Sequence, residues 1–145
     1  MARNFGSRLN ATGDALVHNA SKTIRKAAMA AVNEVVLRTP VKTGAARINW
    51  KLSIGTPRTN LLKGPNTPKV DTNRQIASAK ALADAANKIK AWKVGKGSIF
   101  IANPVEYIGD LDAGTLSKQA RAGMTMFAVA AARAILRKAR LLRGQ

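Results

Sequence analysis

Apolar residues recur at helical spacing in the first quarter of the chain. Between Asp14 and Arg38 they return every three or four positions, at Leu16, Ala20, Ile24, Ala27, Ala31 and Val35. This spacing is typical of one face of an amphipathic helix. Pro40 ends the pattern, because the residue before a proline avoids helical geometry. We therefore predict a helix from Asp14 to Arg38, preceded by a polar, flexible arm over residues 1–12.

The pattern then changes to strict alternation. From Arg47 to Ile54 the apolar residues are Ile48, Trp50, Leu52 and Ile54, and the polar residues between them are Asn49, Lys51 and Ser53. A period of two indicates a strand with one buried and one solvent-exposed face. A second, shorter strand is predicted for Ser98–Ala102, after a turn at Gly95 and Gly97.

Residues 55–73 interrupt the regular patterns with three prolines and two glycines. Segments of this length without regular structure are uncommon in compact domains and are usually functional or disordered. Two alternatives stay open for this segment. It forms an extended loop or hairpin that reaches a neighbouring protein, or it is a flexible surface loop.

Two further helices complete the predicted fold. One runs from Thr72 or Asn73 to Trp92, with an alanine-rich apolar face made of Ile76, Ala79, Ala83, Ala86 and Ile89. The other spans residues 123–142, with Phe127, Ala131, Ile135 and Leu142 on one side. A length of 145 residues suits one domain. We predict a single α+β domain over residues 1–145, in which long N-terminal and C-terminal helices pack a small antiparallel sheet.

The net charge changes this picture of an ordinary domain. Lys and Arg number 25 against 7 acidic residues, which gives a formal charge of +18. Such an excess repels itself and destabilises a compact monomer unless an anionic partner offsets it. DNA, RNA, an anionic membrane or an acidic protein has the required charge. No apolar run approaches the ~20 residues that span a bilayer. The N-terminus lacks the apolar centre of a signal peptide, so we expect a protein made in a cytoplasm, with no membrane partner.

The last predicted helix carries the clearest basic surface. Arg133, Arg137 and Arg140 share one face, and Lys138 and Arg143 add charge near its end. A solvated helix face would explain them, but the total charge favours an anionic partner. The middle segment adds three more candidates: Arg58, Lys63 and Lys69. With six aromatic residues in all, little remains for base stacking, so any DNA contact is expected to use phosphates without sequence preference.

The residues for catalysis or metal binding are sparse. His18 has Asp14 four residues before it, which predicts a surface contact rather than a catalytic pair, and cysteine is absent. Glu106, Asp110 and Asp112 form the one acidic cluster. They would hold a divalent cation or meet the basic surface of a neighbouring subunit, and we favour the subunit interface. We predict no enzymatic activity, no cofactor and no metal.

Two segments resemble signatures of tailed-phage neck and tail-completion proteins, the group similar to lambda minor tail protein Z. RTPVKTGAAR, residues 38–47, resembles the family's "TPVDTG, small or Leu, Arg" signature, although Lys42 replaces the usual acid. NPVEYIGDLDAGTLSKQARAGM, residues 103–124, is similar to a second family segment through Tyr107, Gly114 and Thr115. The signature residues are expected to define the fold rather than to act directly: Pro40, Gly44, Arg47, Tyr107 and Gly114.

The resemblance implies a structural virion protein in the neck of a tailed bacteriophage. Copies would form a homo-oligomeric ring between portal, adaptor or head-closure proteins on one side and tail-tube or tail-terminator proteins on the other. The ring would border the channel for genomic DNA and contact its phosphates. A head-to-tail contact closes into a ring where its rotation permits. The alternative is a small basic nucleic-acid-binding protein without sequence specificity.

Overall fold

A computed structural model describes residues 2–41, 44–61 and 70–141 of the chain. The helices are α1 (Ala2–Arg38), α2 (Ala45–Ile48), α3 (Val70–Ile89), α4 (Ile108–Asp112) and α5 (Thr125–Arg137), and the strands are β1 (Lys51–Ile54) and β2 (Ile99–Ala102). A 3-10 helix spans Lys118–Ala120. The predicted α+β class, with a small antiparallel sheet and long N-terminal and C-terminal helices, is confirmed. Of the predicted middle loop, residues 55–61 form neither helix nor strand and residues 62–69 lie outside the described residues. Residues 70–73 are helical, because α3 begins at Val70 rather than at Thr72 or Asn73, and it ends at Ile89 rather than at Trp92.

Helix α1 is much longer than the periodicity predicts. It begins at Ala2, so residues 2–12 are helical, and the prediction of an irregular arm before a helix start at Asp14 is wrong. No proline interrupts this stretch, and extending a formed helix adds one hydrogen bond per residue. Its end at Arg38 agrees with the prediction. A helix of 37 residues is about 55 Å long, and most side chains before Asn19 are exposed.

Two other helices pack against the second half of α1. Helix α5 is antiparallel to it, because Thr39 at the end of α1 donates to the sulfur of Met124 (3.2 Å) while Asn19 donates to the carbonyl of Leu141 (2.7 Å). The segment after α3 lies along another side of α1, where the backbone N–H of Val94 donates to the hydroxyl of Ser21. The largest fully buried core side chains from these elements and β1 are Val32, Val35, Val36, Leu52 and Met124.

The buried face of α3 differs from the predicted one. Ala77, Ala81, Ala85 and Ile89 are buried, at a regular spacing of four residues. Of the five residues predicted for this face, Ile89 alone is correct; Ile76, Ala79, Ala83 and Ala86 are exposed. Alanines occur on several sides of α3, so the sequence pattern does not single out one face. The surfaces of α1 and β1 select the buried one.

The sheet is shorter and more buried than predicted. β1 and β2 pair antiparallel, from Lys51 opposite Ala102 to Ile54 opposite Ile99. The predicted strand start at Arg47 is wrong, because residues 45–48 form α2. A solvent-exposed polar face is also wrong, since Asn49, Lys51 and Ser53 are buried and hydrogen-bond to nearby carbonyls. β2 begins one residue after its predicted start, and it follows the predicted turn at Gly95 and Gly97.

The final helix is shorter than predicted, ending at Arg137 rather than residue 142. On the predicted apolar side, Phe127, Ala131 and Ile135 are partly buried, while the buried residue of α5 is Ala128. Arg38 of α1 lies over the Phe127 ring, 3.7 Å from its centroid. Phe127 therefore packs beneath a cation from α1. Leu142 lies outside the described residues.

Candidate functional sites at the two ends of the molecule

Arg47, the last residue of the first signature, is a buried cation that closes the end of α1. Its guanidinium donates to the carbonyl of Thr39 through Nε (3.1 Å) and Nη2 (2.6 Å), and to the carbonyl of Leu37 (3.1 Å). It also donates to the hydroxyl of Ser78 on α3 (3.0 Å). The last carbonyls of a helix have no partner within the helix. Arg47 supplies that partner and ties α1 to α3.

Gly114 of the second signature sits where no other residue fits. Its φ is +78°, and a Cβ added there would lie 2.4 Å from the carbonyl oxygen of Arg121. The backbones of residues 114 and 121 therefore approach too closely for a side chain. Gly44 of the first signature also has a left-handed conformation, with φ +87°, directly before α2. Both glycines have a structural explanation within the fold.

Asp112 has a different role from the other two acids of its cluster. Its carboxylate accepts the backbone N–H groups of Met124 (2.6 Å) and Thr125 (2.8 Å) and the hydroxyl of Thr125 (2.5 Å). These N–H groups open α5, where backbone donors lack helical partners. Asp112, the last residue of α4, therefore caps α5. Glu106 and Asp110 are exposed and stay candidates for an interface between subunits.

The cap makes stability depend on Asp112 and on pH. Burial acts to raise the pKa of Asp112, but hydrogen bonds from Thr125 and Met124 outweigh it, so the pKa lies below its ordinary value. A lowered pKa in the folded state stabilises the fold above the ordinary pKa, and that contribution is lost as pH falls through the folded-state pKa. The stabilisation by this carboxylate is thus present at neutral pH and disappears in acid.

We expect Asp112→Ala to destabilise the protein by about 1 kcal/mol, within the 0.5–2 kcal/mol that a helix cap contributes. Urea denaturation followed by circular dichroism measures this at pH 7. Asp110→Ala, which removes an exposed carboxylate two residues away, is the matched control and should change stability by less than about 0.5 kcal/mol. The difference in the free energy of unfolding between wild type and Asp112→Ala should become smaller as the pH is lowered towards 3. Equal effects of the two substitutions would contradict the capping role.

A groove lies beside the C-terminal end of α1, among the signature residues. Its volume is about 670 Å³, and its lining includes Pro40, Val41, Tyr107, Leu111 and Leu116. Tyr107 and Leu116 are 43% and 56% exposed, so apolar surface is open to solvent there. Glu106 and Asp110 adjoin two of these residues in sequence. This end of the molecule, which we call the groove end, combines apolar surface with these two neighbouring carboxylates and with Lys118, which lines the groove.

The opposite end of the domain is strongly basic. The last turn of α5 and the residues just after it lie beside α1, where Leu136, Ala139 and Leu141 form a pocket with Ala20, Thr23 and Ile24. Arg25 of the same α1 segment donates to the carbonyl of Lys90 after α3 (2.6 Å). A stretch of about two turns of α1 therefore contacts both the segment after α3 and the segment after α5. We call this region the basic end; its exposed cations are Lys22, Lys26, Lys90, Lys93, Lys96, Arg137, Lys138 and Arg140.

Few cations in the described part of the chain have an acidic partner. Its ion pairs are Arg38 with Glu34, Lys88 with Asp84 (2.8 Å) and Arg58 with Asp84 (3.8 Å). None of these pairs includes a residue of the basic end. The positive charge there is therefore not neutralised by a described carboxylate.

The structure separates the predicted basic candidates. Arg133, Arg137, Lys138 and Arg140 are exposed on or just after α5, whereas Arg58 lies beside Asp84 of α3. Near Arg58, burial lowers the pKa of Lys51, and the positive charge of Arg58 lowers it further. Lys63, Lys69 and Arg143 lie outside the described residues. Helical spacing does not identify the cations after α3, which are Lys90, Lys93 and Lys96. They lie at the same end of the domain as the cations of α5 because of the tertiary fold.

No described helix has the length and apolar character that crossing a bilayer requires. In the described ranges, no three His, Cys, Asp or Glu residues cluster closely enough to hold a metal ion. No family model, curated protein or solved structure matches this chain. The functional conclusion therefore depends on the residues and geometry of the chain itself.

Proposed function

We propose that this chain is a structural subunit of the neck of a tailed bacteriophage. Its copies form a ring that joins portal, adaptor or head-closure proteins to tail-tube or tail-terminator proteins. The ring borders the channel through which genomic DNA passes, and the protein resides in the virion after assembly in the host cytoplasm. Its action is mechanical rather than enzymatic: it extends the channel and matches two protein surfaces.

The basic end is the observation that carries this proposal. Its eight exposed cations lie on three separate segments, on α1, after α3 and at the end of α5, and none of them pairs with a described carboxylate. Like charges gathered at one end of a small domain repel one another, and an anionic partner relieves that repulsion. Phosphates of DNA in a channel, or acidic surfaces of neighbouring proteins, supply the opposite charge.

The roles of the signature residues also support the proposal. Arg47 closes α1, Gly44 precedes α2, and Gly114 permits a close approach of two backbone segments. The residues behind the resemblance thus occupy positions where the fold requires their chemistry. This agrees with the expectation that these residues define the fold rather than act directly.

The aromatic residues favour phosphate contact over base recognition. Trp50 and Trp92 are buried in the core, and Phe127 is covered by Arg38. Phe5 and Tyr107 are exposed, but they lie on the first turns of α1 and at the groove, away from the cations of the basic end. Recognition of single strands typically stacks bases on exposed aromatic side chains. Contact through Lys and Arg with phosphates carries no sequence information, which suits DNA that moves past a ring.

The alternative is a small basic nucleic-acid-binding protein that acts as a monomer. It accounts for the same cations, but leaves the groove end and the exposed apolar residues of α1 without a role.

Sedimentation velocity and filter binding of the purified chain, across a range of salt concentrations, distinguish the neck subunit from this alternative. We expect monomers with weak DNA binding at low salt, and larger assemblies when DNA is added. Tight binding with a steep salt dependence by the free monomer would favour the alternative, and rings formed at low salt without any partner would contradict the role of charge.

We expect the basic end to supply the phosphate contacts. Each neutralised phosphate contributes about 0.9 to the slope of log K against log salt concentration. The double substitution Arg137→Gln/Arg140→Gln should therefore lower the slope for the DNA-bound assembly by about 2. Lys80→Gln/Arg121→Gln removes the same charge from exposed residues outside both the basic end and the groove lining and should leave the slope nearly unchanged. Equal effects of both variants would show that total charge, not its location, determines DNA binding.

A further inference from the structure

The first half of α1 carries an apolar stripe that nothing in the described chain covers. Phe5, Leu9 and Leu16 are 70%, 60% and 39% exposed. Spacings of four and seven residues place them on one face of the helix. We call this the α1 stripe. Further along α1 the same side holds Ala20 and Thr23, which line the pocket shared with the chain after α5. The α1 stripe therefore extends the side of α1 that packs against the chain after α5, beyond the last contact with that chain.

The α1 stripe is also the part of this basic protein best suited to meet another copy. Residues 1–20 contain Arg3, Arg8 and Asp14, a net charge of +1, so residues 21–145 carry the remaining +17 of the total of +18. Two copies that approach through most other surfaces bring two strongly positive surfaces together, and these surfaces repel each other. An approach through the α1 stripe adds little repulsion to the burial of apolar area.

The groove at the other end of α1 has complementary properties. Pro40, which lines the groove, comes just after the C-terminal end of α1, whereas the α1 stripe lies near the N-terminal end of the helix at Ala2. The two surfaces therefore lie at opposite ends of one long helix. The groove exposes the apolar side chains of Leu116 and Tyr107. Residues 99–124, which supply much of its lining, contain three acids (Glu106, Asp110, Asp112) and two cations (Lys118, Arg121), a net charge of −1. The groove therefore offers apolar surface within the least basic stretch of the chain.

We propose that the α1 stripe of one copy docks into the groove of the next copy. The two surfaces differ, so the contact is heterologous, and repeating it produces a ring or an open filament according to its rotation. This inference deepens the proposed function and rests on it, because it specifies the contact between neighbouring ring subunits. Phe5 and Leu9, one turn apart, are the side chains that enter the groove.

Pairing of two α1 stripes is the competing arrangement. Such a contact is isologous and stops at a dimer. It also brings the basic ends of both copies towards each other, because each α1 stripe adjoins its own basic end. Docking into the groove instead brings a segment of net charge +1 to a stretch of net charge −1, which electrostatic complementarity favours.

Cysteine cross-linking distinguishes the two arrangements, and the chain has no native cysteine to interfere. Leu9→Cys and Leu116→Cys are prepared as separate full-length chains and treated with a short bismaleimide at about 1 M salt. The Debye length there is about 3 Å, so charge repulsion is screened. We expect covalent dimers in the mixture to exceed those of either chain alone by at least tenfold. Dimers from Leu9→Cys alone would overturn the proposal in favour of paired stripes, and no enrichment in the mixture would also overturn it.

Substitutions to serine give an independent measure of the same contact. Leu9→Ser and Leu116→Ser each remove one surface and should weaken self-association at high salt by about tenfold or more, as expected for an interface anchor. Met126→Ser is the matched control, because Met126 is 63% exposed on α5 and lines neither surface. Unchanged circular dichroism verifies that the variants fold. If Met126→Ser weakens association as strongly, the proposed contact is wrong.

The outcomes separate this inference from the proposed function. Assembly of the wild-type chain with DNA, without cross-linking between Leu9→Cys and Leu116→Cys, would leave the neck proposal in place and remove the docking contact. A wild-type chain that stays monomeric at high salt and with DNA, while binding DNA tightly, would remove the neck proposal itself.

Discussion

Arg47→Ala is expected to destabilise the fold by about 3–5 kcal/mol, a large effect for a single substitution. The guanidinium donates to the carbonyls of Leu37 and Thr39 and to the hydroxyl of Ser78. Each buried polar group left without a partner costs about 1–3 kcal/mol, and the removed side chain also leaves a cavity. Arg47→Lys should recover little of the loss, because an ammonium lacks the planar fork that reaches two carbonyls and a hydroxyl together.

Urea denaturation at neutral pH, followed by circular dichroism, measures this effect. Arg133→Ala is the matched control, since Arg133 is exposed on α5, and its substitution should change the free energy of unfolding by less than about 0.5 kcal/mol. If Arg47→Ala were as stable as Arg133→Ala, the guanidinium would not organise the junction between α1, α2 and α3. Destabilisation by Arg47→Ala but not by Arg47→Lys would show that charge matters there more than geometry.

Gly114→Ala is expected to destabilise the protein by about 2–4 kcal/mol. A left-handed conformation alone costs an L-residue about 1–2 kcal/mol, and φ at this position is +78°. The added methyl would also lie 2.4 Å from the carbonyl oxygen of Arg121, so the backbone of one segment must move. That movement displaces the segment leading to Met124, which is fully buried, and therefore disturbs the core.

Gly109→Ala is the matched control for this prediction. Gly109 lies within α4, has no atom within 4 Å of an added Cβ, and does not have a positive φ. Alanine favours the helix over glycine by about 0.5–1 kcal/mol, so Gly109→Ala should leave stability unchanged or raise it. Thermal unfolding of both variants measures the contrast. Similar melting temperatures would mean that the turn at Gly114 relaxes freely, and the close approach to Arg121 would then not limit the fold.

These two substitutions also bear on assembly. Gly114 and Arg47 lie beside the groove lining: Gly114 is two residues before Leu116, and Arg47 follows Ala46. A destabilised but folded variant should therefore self-associate more weakly at high salt than its matched control. The fold and the proposed subunit contact thus depend on the same short signature segments.

The candidate sites were only partly predictable from sequence. Helical spacing placed Arg133, Arg137 and Arg140 on one helix face. All three are exposed, but α5 ends at Arg137, so Arg140 lies beyond the helix. Spacing along one element does not reveal that Lys90, Lys93 and Lys96 lie near the same end, because contacts of α1 with Lys90 and Leu141 join residues far apart in sequence. Asp112 carried no local sign of its role, since its partners Met124 and Thr125 are 12 and 13 residues away.

Features that depend only on neighbouring residues follow from the sequence alone. Pro40 ends α1 near Arg38, the glycines at 95 and 97 form a turn, and apolar residues 99–102 form a strand. Packing between distant segments sets which side of α3 is buried, covers Lys51 and Ser53, and directs the side chain of Arg47. Backbone sterics and helical hydrogen bonds act over a few residues, so short patterns reveal them. Burial depends on the surface that packs opposite, and in a chain rich in alanine and lysine many faces look equally suitable until that surface is present.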